Sequence, residues 1–495
     1  MASDPITARV RFMPDSAIPA STSALGAALE ALELRFEASI EELSALARIP
    51  SVSAPGFDPA EVRRSAEAVR DLLLASGLDA AEVVDLETAV AESLAHPYVL
   101  AEWLRAGDEA PTLLLYAHHD VQPPGRTAHW DSPEFEPTLR DDGRLYGRGV
   151  VDDKAGVVVF AAAIRAWLDA TGSLPVNVKL VVEGEEEIGS SHLAQFLAQH
   201  RERLSADVIV LSDTANLESG LPSITTSLRG LVNIDVHVRA LDHPLHSGMW
   251  GGPVPDAATA LSTLLARIAN PDGSVAVPGL SDDVPALSEV EQAAIAALPF
   301  DADAFRSDAG LVDGASLGGE TGAEVYENLW RRPSIAVTAL EAMPLLGAAN
   351  QLIAEAHARV GLRLAPGQDA ERAAQLLSEF LRRDPPRGVE VETEVESFAS
   401  GWSTEPRGPA FDAAVRSLAA GYERDPVFIG CGGSIPFVGP FAEVLGGVPA
   451  LLLGLEDPIC NAHGENESLH LGDFRKAMRA VVHLLHELRG VLEIR

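Results

Sequence analysis

Cysteine is nearly absent: Cys431 and Cys460 are the only two in 495 residues. So few thiols exclude a disulfide scaffold and fit a reducing compartment, so a cytoplasmic protein is expected. Basic side chains are also scarce, 37 against 73 acidic ones, which leaves a formal charge of −36. A field of that sign repels polyanions, so neither nucleic acid nor an anionic membrane is an expected partner. No apolar run approaches the roughly 18–20 residues of a membrane span. The longest, around Val157–Trp167 and Val448–Leu455, read as buried helix or strand. The opening residues lack a basic region followed by an apolar stretch, so no secretory signal is expected. Residues 1–24, rich in Pro, Ser and Ala, read as an irregular arm. Internal repeats are missing too. What remains, 47% apolar and 22% charged, is the balance of a globular chain, and its length implies more than one domain.

Helical apolar spacing runs over Leu25–Ile49, stopped by Pro50, and over Glu61–Ser76, stopped by Gly77. Short apolar runs then predict buried strands at Tyr98–Leu104, Thr112–Ala117, Asn177–Glu183 and Asp207–Leu211, with helices at Lys154–Ala170 and His192–Leu204. That alternation is the pattern of an α/β sheet covered on both faces. From about Ser227 the texture changes. Strand Leu231–Ala240, helix Asp256–Asn270, strands Ser334–Leu340 and Leu352–Leu364, helix Asp369–Arg383 and strand Val389–Val395 follow the β-α-β-β-α-β order of a ferredoxin-like unit. Pro- and Gly-rich sequence between Gly273 and Gly322 reads as an insertion within it. After Ser400 come a helix, the strand Ala450–Leu455 and the long helix Leu471–Leu488. The fold class expected is therefore two-domain α/β: a mixed-sheet domain, 1–226 and 398–495, into which an α+β domain, 227–397, is inserted.

Five clusters carry chemistry. Tyr116-Ala-His-His-Asp-Val-Gln follows a buried strand, where open α/β sheets place their sites, and Asp120 is spaced to orient His118. Tyr146-Gly-Arg-Gly-Val-Val-Asp-Asp-Lys leads into a helix; its glycines suit an anion cradle, and Asp152 and Asp153 suit helix caps as well as ligands. Glu183-Gly-Glu-Glu-Glu187 ends another strand, and consecutive carboxylates repel unless a cation holds them. Asp213 follows the strand Asp207–Leu211, and His463 lies in Cys460-Asn-Ala-His-Gly-Glu-Asn-Glu. Taken singly, each has a plain structural reading as a surface turn, a cap or an exposed acidic loop. As a set, the imidazoles and carboxylates without thiolate suit two zinc or manganese ions bridged by one carboxylate.

From about Leu25 to the C-terminus these segments resemble the co-catalytic zinc peptidases that include carnosinases, bacterial dipeptidases, glutamate carboxypeptidases, aminoacylases and succinyl-diaminopimelate desuccinylases, and the five motifs stand in family order. The resemblance implies that His118, Asp152, Glu187, Asp213 and His463 are metal ligands, with Asp152 bridging and Asp120 orienting His118. It implies Glu186 as the general base and His246, in His246-Ser-Gly-Met-Trp, as a lid histidine that reaches the partner subunit's site. Arg363, with Ser434 and the backbone around Gly433, would hold a substrate carboxylate. Asp213, Tyr146-Gly-Arg-Gly and Gly432-Gly-Ser-Ile-Pro look like the carnosinase and dipeptidase branch. One departure concerns substrate choice: Gly430 and Cys431 stand where that branch usually has Arg-Glu.

The resulting expectation is a homodimeric dipeptidase with two divalent ions per subunit, zinc first and manganese or cobalt as alternatives, acting on small peptides with the insertion as lid and dimer surface. The alternatives carried with it are an N-acyl-amino-acid deacylase or carboxypeptidase using the same centre, and a catalytically silent binding or scaffold protein.

Overall fold

The computed structural model describes residues 23–86, 95–433, 438–439, 441 and 446–490. Its first helix, Ala24–Ala47, starts where the Ser23 side chain accepts from Gly26 N–H and buries Ala28, Leu32, Phe36, Ser39 and Leu43 along one stripe. Helix Lys154–Thr171 is buried through almost its whole length and ends at Gly172, whose φ of 72° only glycine adopts freely. These two helices pack with Pro409–Tyr422 and Leu471–Leu488 on one face of a nine-stranded sheet and enclose the main core. The other face buries Phe196, Leu193, Leu197, Phe441 and the tyrosines Tyr98 and Tyr116.

The sheet runs Ala80–Val84, Tyr98–Trp103, Asn177–Glu183, Thr112–His118, Val208–Leu211, Ala450–Leu452 and Ser223–Leu228, the last also pairing with Trp402–Ser403 and Val427–Cys431. Its four central strands, from Asn177–Glu183 to Ala450–Leu452, are parallel, and the outer pairings are largely antiparallel, so the sheet is mixed. Parallel neighbours bring the carboxyl ends of those central strands to one edge.

A second sheet of four antiparallel strands runs in the order Ser334–Glu341, Glu355–Leu364, Gly230–Arg239, Glu390–Ala399. With helices Ala257–Leu265 and Ala370–Arg382 it makes the ferredoxin-like unit, as the sequence order predicts. The chain enters and leaves it side by side: a Cβ on Gly230 would stand 2.7 Å from Ala399 O, and one on Gly401 2.7 Å from Leu228 O. Both positions need glycine for that close approach.

Several expectations are revised: the helix expected at His192–Leu204 spans Leu193–His200, and the strand expected at Ala450–Leu455 spans Ala450–Leu452. The stretch Leu352–Leu364 is two strands, Gln351–Leu352 and Glu355–Leu364, because Ile353 N–H turns away from the sheet to the Asp256 carboxylate, 2.6 Å away. The helix that Asp256 caps ends at Leu265. The stretch between Gly273 and Gly322 holds helices Glu289–Ala296 and Ala302–Asp308, and Gly322 itself opens a third, Gly322–Trp330. No helix among the described residues is long and apolar enough to cross a membrane.

Candidate active site

His118 is the last residue of its strand, and both of its ring nitrogens are engaged. Nδ1 lies 3.1 Å from the Asp120 carbonyl oxygen and 3.4 Å from its carboxylate. That turns Nε2 toward Asp152, at 2.9 Å, and Asp213, at 3.8 Å. Asp120 is itself fixed: its carboxylate accepts from Ser53 Oγ at 2.7 Å and from the backbone N–H groups of Glu186 and Glu187. One buried carboxylate thus ties the end of one strand to the turn after its neighbour.

Asp152 divides its two oxygens. One meets His118 Nε2 and the other meets His463 Nε2, each at 2.9 Å. His463 also stands 3.2 Å from Glu187, whose carboxylate accepts from the Gln122 backbone and side chain. Two donor sets result, His118–Asp152–Asp213 and Asp152–Glu187–His463, each with ligand atoms within 4.8 Å of one another and sharing Asp152. His463 reaches in from a turn with its backbone at φ 63°.

The turns carrying Asp152 and His463 are clamped from behind. Arg148 Nη1 donates to Glu467 at 2.6 Å with both side chains buried, while Nη2 donates to the carbonyls of Pro123, His463 and Gly464. Glu467 in turn accepts from Gly149, Val151 and Asp152 N–H. The Tyr146-Gly-Arg-Gly tract earns its place through this clamp rather than through a phosphate.

The electrostatics of the donor sets fit divalent cations. Burial and the Asp152 charge push Glu187 up to about 7, and burial with the same neighbour pushes Asp213 up to about 6. Glu186 is raised well above the carboxylate range by burial and then by Asp213. His463 is pushed up to about 11 by Asp152 and Glu187. Carboxylates that repel and imidazoles that gain protons describe a cluster short of positive charge, which two divalent ions would supply.

The four carboxylates of Glu183–Glu187 separate. Glu183 accepts from Tyr116 at 2.6 Å and Tyr98 at 3.2 Å; Glu185 accepts from Tyr98 at 2.9 Å and is joined to His192 Nδ1 at 2.9 Å. Burial raises Glu183 to about 8. Glu186 and Glu187 are left at the cleft. His119 is buried against the Pro97 carbonyl, and burial lowers it to about 4.

The remaining sequence-derived residues lie apart from this cluster. His246 is exposed on the two-stranded ribbon Leu245–His246/Gln351–Leu352, where its Nδ1 accepts from Gly248 N–H. No hydrogen bond or ion pair joins it to the ligands within one chain. Arg363 is half-buried on its strand, near Cys431 and close enough to Arg229 for the two positive charges to repel. Gly433 accepts from Arg229 N–H through its carbonyl, and its own N–H donates to Cys431 Sγ. Ser434 lies outside the described residues. Both cysteines are free thiols.

Sequence reasoning missed Arg229, Ser53 and the Glu467 clamp. Arg229 Nε donates to Gly432 O and Nη1 to Ser334 Oγ, both at 2.9 Å, and burial with the Arg363 charge lowers it to about 10. Among the described residues no carboxylate pairs with it. The available clue was slight: a lone arginine just before the predicted strand Leu231–Ala240; that it sits at a buried crossing follows only from the strand Ser223–Leu228, which the sequence did not show.

Comparison with known proteins gives the chain a family and its fold a match. A model of peptidase family M20/M25/M40 matches residues 114–487. The chain is 34% identical over 363 residues to the cysteinylglycine-S-conjugate dipeptidase of Corynebacterium striatum, covering 73% of this chain and 77% of that one. It is 28% identical over 381 residues to the human Beta-Ala-His dipeptidase, covering 76% and 74%. The solved structure of the di-peptidase Dug1p from Saccharomyces cerevisiae superposes with a TM-score of 0.85 at 24% identity, over 95% of this chain and 99% of that one.

Proposed function

The chain belongs to peptidase family M20/M25/M40, and from that premise we propose that it hydrolyses the amide bond of dipeptides with Glu186 as general base. The observation that carries this reading is the shared carboxylate of Asp152, 2.9 Å from each of two histidines, with Glu186 beside it in the same cleft.

His118, Asp152 and Asp213 would hold one divalent ion, and Asp152, Glu187 and His463 the other. Ions so held act as Lewis acids toward the scissile carbonyl and the attacking water. Zinc suits a set of imidazoles and carboxylates; manganese and cobalt suit the same donors. Asp120 holds His118 in the orientation that presents Nε2. Glu186 takes a proton from the attacking water and delivers it to the leaving amine. Arg363, Ser434 and the backbone around Gly433 would bind the substrate carboxylate.

His246 would stabilise the oxyanion in the partner subunit's site. Its exposure on the insertion supports that reading. So do Val337, Leu340, Val395 and Phe398, apolar side chains left exposed on the second sheet, which suit a homodimer through this domain. A strictly monomeric, fully active enzyme would remove the role of His246 in trans. We take 1–226 and 398–495 as the catalytic domain and 227–397 as the lid. A reducing cytoplasm suits the unpaired Cys431 and Cys460.

The test is Glu186→Gln. Turnover of a free-amine dipeptide should fall by roughly 10²–10⁴-fold while two ions per chain stay bound. Near-normal kcat in that variant would refute the base assignment. Comparing a dipeptide with its N-acylated form separates dipeptidase from deacylase, and absence of hydrolysis with both ions bound would leave a binding protein.

A further inference from the structure

Beside the metal-ligand cluster lies a cavity of about 390 Å³ that the mechanism above does not use. Volumes of about 300–1,000 Å³ are those of small-molecule sites. One wall is the excursion from Pro299 to Trp330 in the lid; the other is the strand end Ile429–Gly432, with Ala215 two residues beyond Asp213. The lid wall is firmly built. Tyr326 and Trp330 are stacked with centroids 4.6 Å apart, and Phe300 meets the Tyr326 ring edge-on at 5.5 Å. The facing strand contributes no charged side chain. A Cβ on Gly430 would stand 2.6 Å from Trp330 Cβ and 2.8 Å from Ser227 Oγ, so the aromatic wall can close only over glycine. Gly430 and Cys431 are the two positions where Arg-Glu was expected, and an arginine there would occupy this space.

The cavity adjoins a buried cation. The point where Gly432 would carry a side chain lies 3.2 Å from Leu329 Cδ1, on the cavity wall, and 3.2 Å from Arg229 Nη2. Arg229 is a buried cation with no carboxylate partner among the described residues, next to the charge of Arg363. In an amino acid the carboxylate and the side chain leave the same carbon. A carboxylate settled at Arg229 and Arg363 therefore puts its own side chain within reach of the cavity. Glu218, Asp301 and Asp308, all solvent-exposed, line the same space and repel an acidic side chain.

We infer that this cavity is the specificity pocket for a large apolar side chain, aromatic above all, on the carboxyl-terminal residue of the substrate. The inference rests on the dipeptidase reading and goes beyond it. Burying such a side chain rather than a methyl should raise kcat/KM by roughly 10- to 100-fold.

The experiment compares Ala-Phe, Phe-Ala, Ala-Ala and Ala-Asp on the metal-loaded protein and on Ala304→Trp, which fills the pocket from the lid. Ala-Phe should lead, Ala-Asp should trail, and the ratio of Ala-Phe to Ala-Ala should collapse toward one in the variant. A preference for Phe-Ala, equal rates for Ala-Phe and Ala-Ala, or a ratio unmoved by Ala304→Trp would overturn the assignment. Calorimetric binding of L-phenylalanine against L-alanine reads the pocket without turnover. If L-phenylalanine binds at least tenfold tighter and Ala304→Trp abolishes the difference while no dipeptide is cleaved, the pocket stands and the catalytic reading fails. Equal binding of the two amino acids overturns the pocket whatever is cleaved.

Discussion

Replacing Glu467 with Gln isolates the clamp behind the proposed metal ligands, because Glu467 touches no proposed substrate or ion. Its carboxylate accepts from Arg148 at 2.6 Å, and the two side chains are 0% and 1% exposed. Glutamine keeps the shape and loses the charge, so Arg148 becomes a buried cation without a counter-charge. Removing one partner of a buried pair costs about 3–5 kcal/mol. The loss should not be confined to stability. Glu467 accepts from Gly149 and Val151 N–H at 3.1 Å, which fixes the approach to Asp152, and Arg148 holds the carbonyls of His463 and Gly464 at 3.1 and 3.0 Å. Outer partners of this kind are worth about 10–100-fold in metal affinity, which is about 1.4–2.8 kcal/mol of binding free energy. Competition with a chromophoric chelator measures the affinity, and denaturant unfolding of the protein measures the stability. A cycle with Arg148→Met should return a coupling of about 1–3 kcal/mol. The reasoning fails if Glu467→Gln keeps metal affinity within about twofold and stability within about 1 kcal/mol, since either value would lie below the range for a buried pair.

Gly454→Ala should be still more disruptive locally: the new Cβ would stand 1.3 Å from Thr214 O, so the chain just after the strand must move next to Asp213. A loss of at least about 3 kcal/mol in unfolding free energy is expected, together with weakened metal binding. Asp473 is nearly fully buried and accepts from Gly220 N–H at 2.6 Å. Burial opposes its charge, but His470, the Gly220 hydrogen bond and Lys476 hold it below its ordinary value of 3.8. A depressed folded pKa stabilises above the unfolded value and is lost as pH falls through the folded one. Asp473→Asn should therefore cost about 1.5–3 kcal/mol near neutrality, and the gap from the parent should close on acidification below that value. Burial, against a hydrogen bond from Gly433, pushes the Cys431 thiol up to about 11. Its alkylation near neutral pH, followed by mass spectrometry, should run roughly two orders of magnitude slower than at an ordinary cysteine and accelerate with each unit of pH.

The buried parallel strands were legible as short, mostly apolar segments: Asn177–Glu183 matches its predicted bounds, as does the helix Leu471–Leu488. Strand Ser223–Leu228 was not, since Ser-Ile-Thr-Thr-Ser-Leu carries neither alternation nor an apolar run, and its place in the sheet is set by neighbours on both sides. The helices of the insertion were hidden by composition, yet two carried a readable start. Ser288 with Glu291, and Thr321 with Glu324, form capping boxes in which each side chain bonds the other's backbone. The break after Leu352 had no local cue, because the group that draws Ile353 N–H off the sheet is Asp256, far away in the sequence.

The ligand candidates were legible as residue types at strand ends, but the acidic cluster shows where that reading stops. Four carboxylates in the five residues from Glu183 to Glu187 look alike in sequence. What separates them is the register of neighbouring strands: Tyr116 stands opposite Val181, and Tyr98 is the residue before Val99, which stands opposite Val182. Both phenols therefore arrive at the end of the strand and satisfy Glu183 and Glu185 with neutral donors. Glu187 finds the Gln122 donors and His463 instead, and Glu186 is left with the Asp213 charge as its leading unfavourable neighbour. The division between anchoring and reacting carboxylates is thus made by two tyrosines from adjacent strands. Under the proposed reaction, the residue that accepts a proton during turnover is the one that, among the described residues, meets no strong donor.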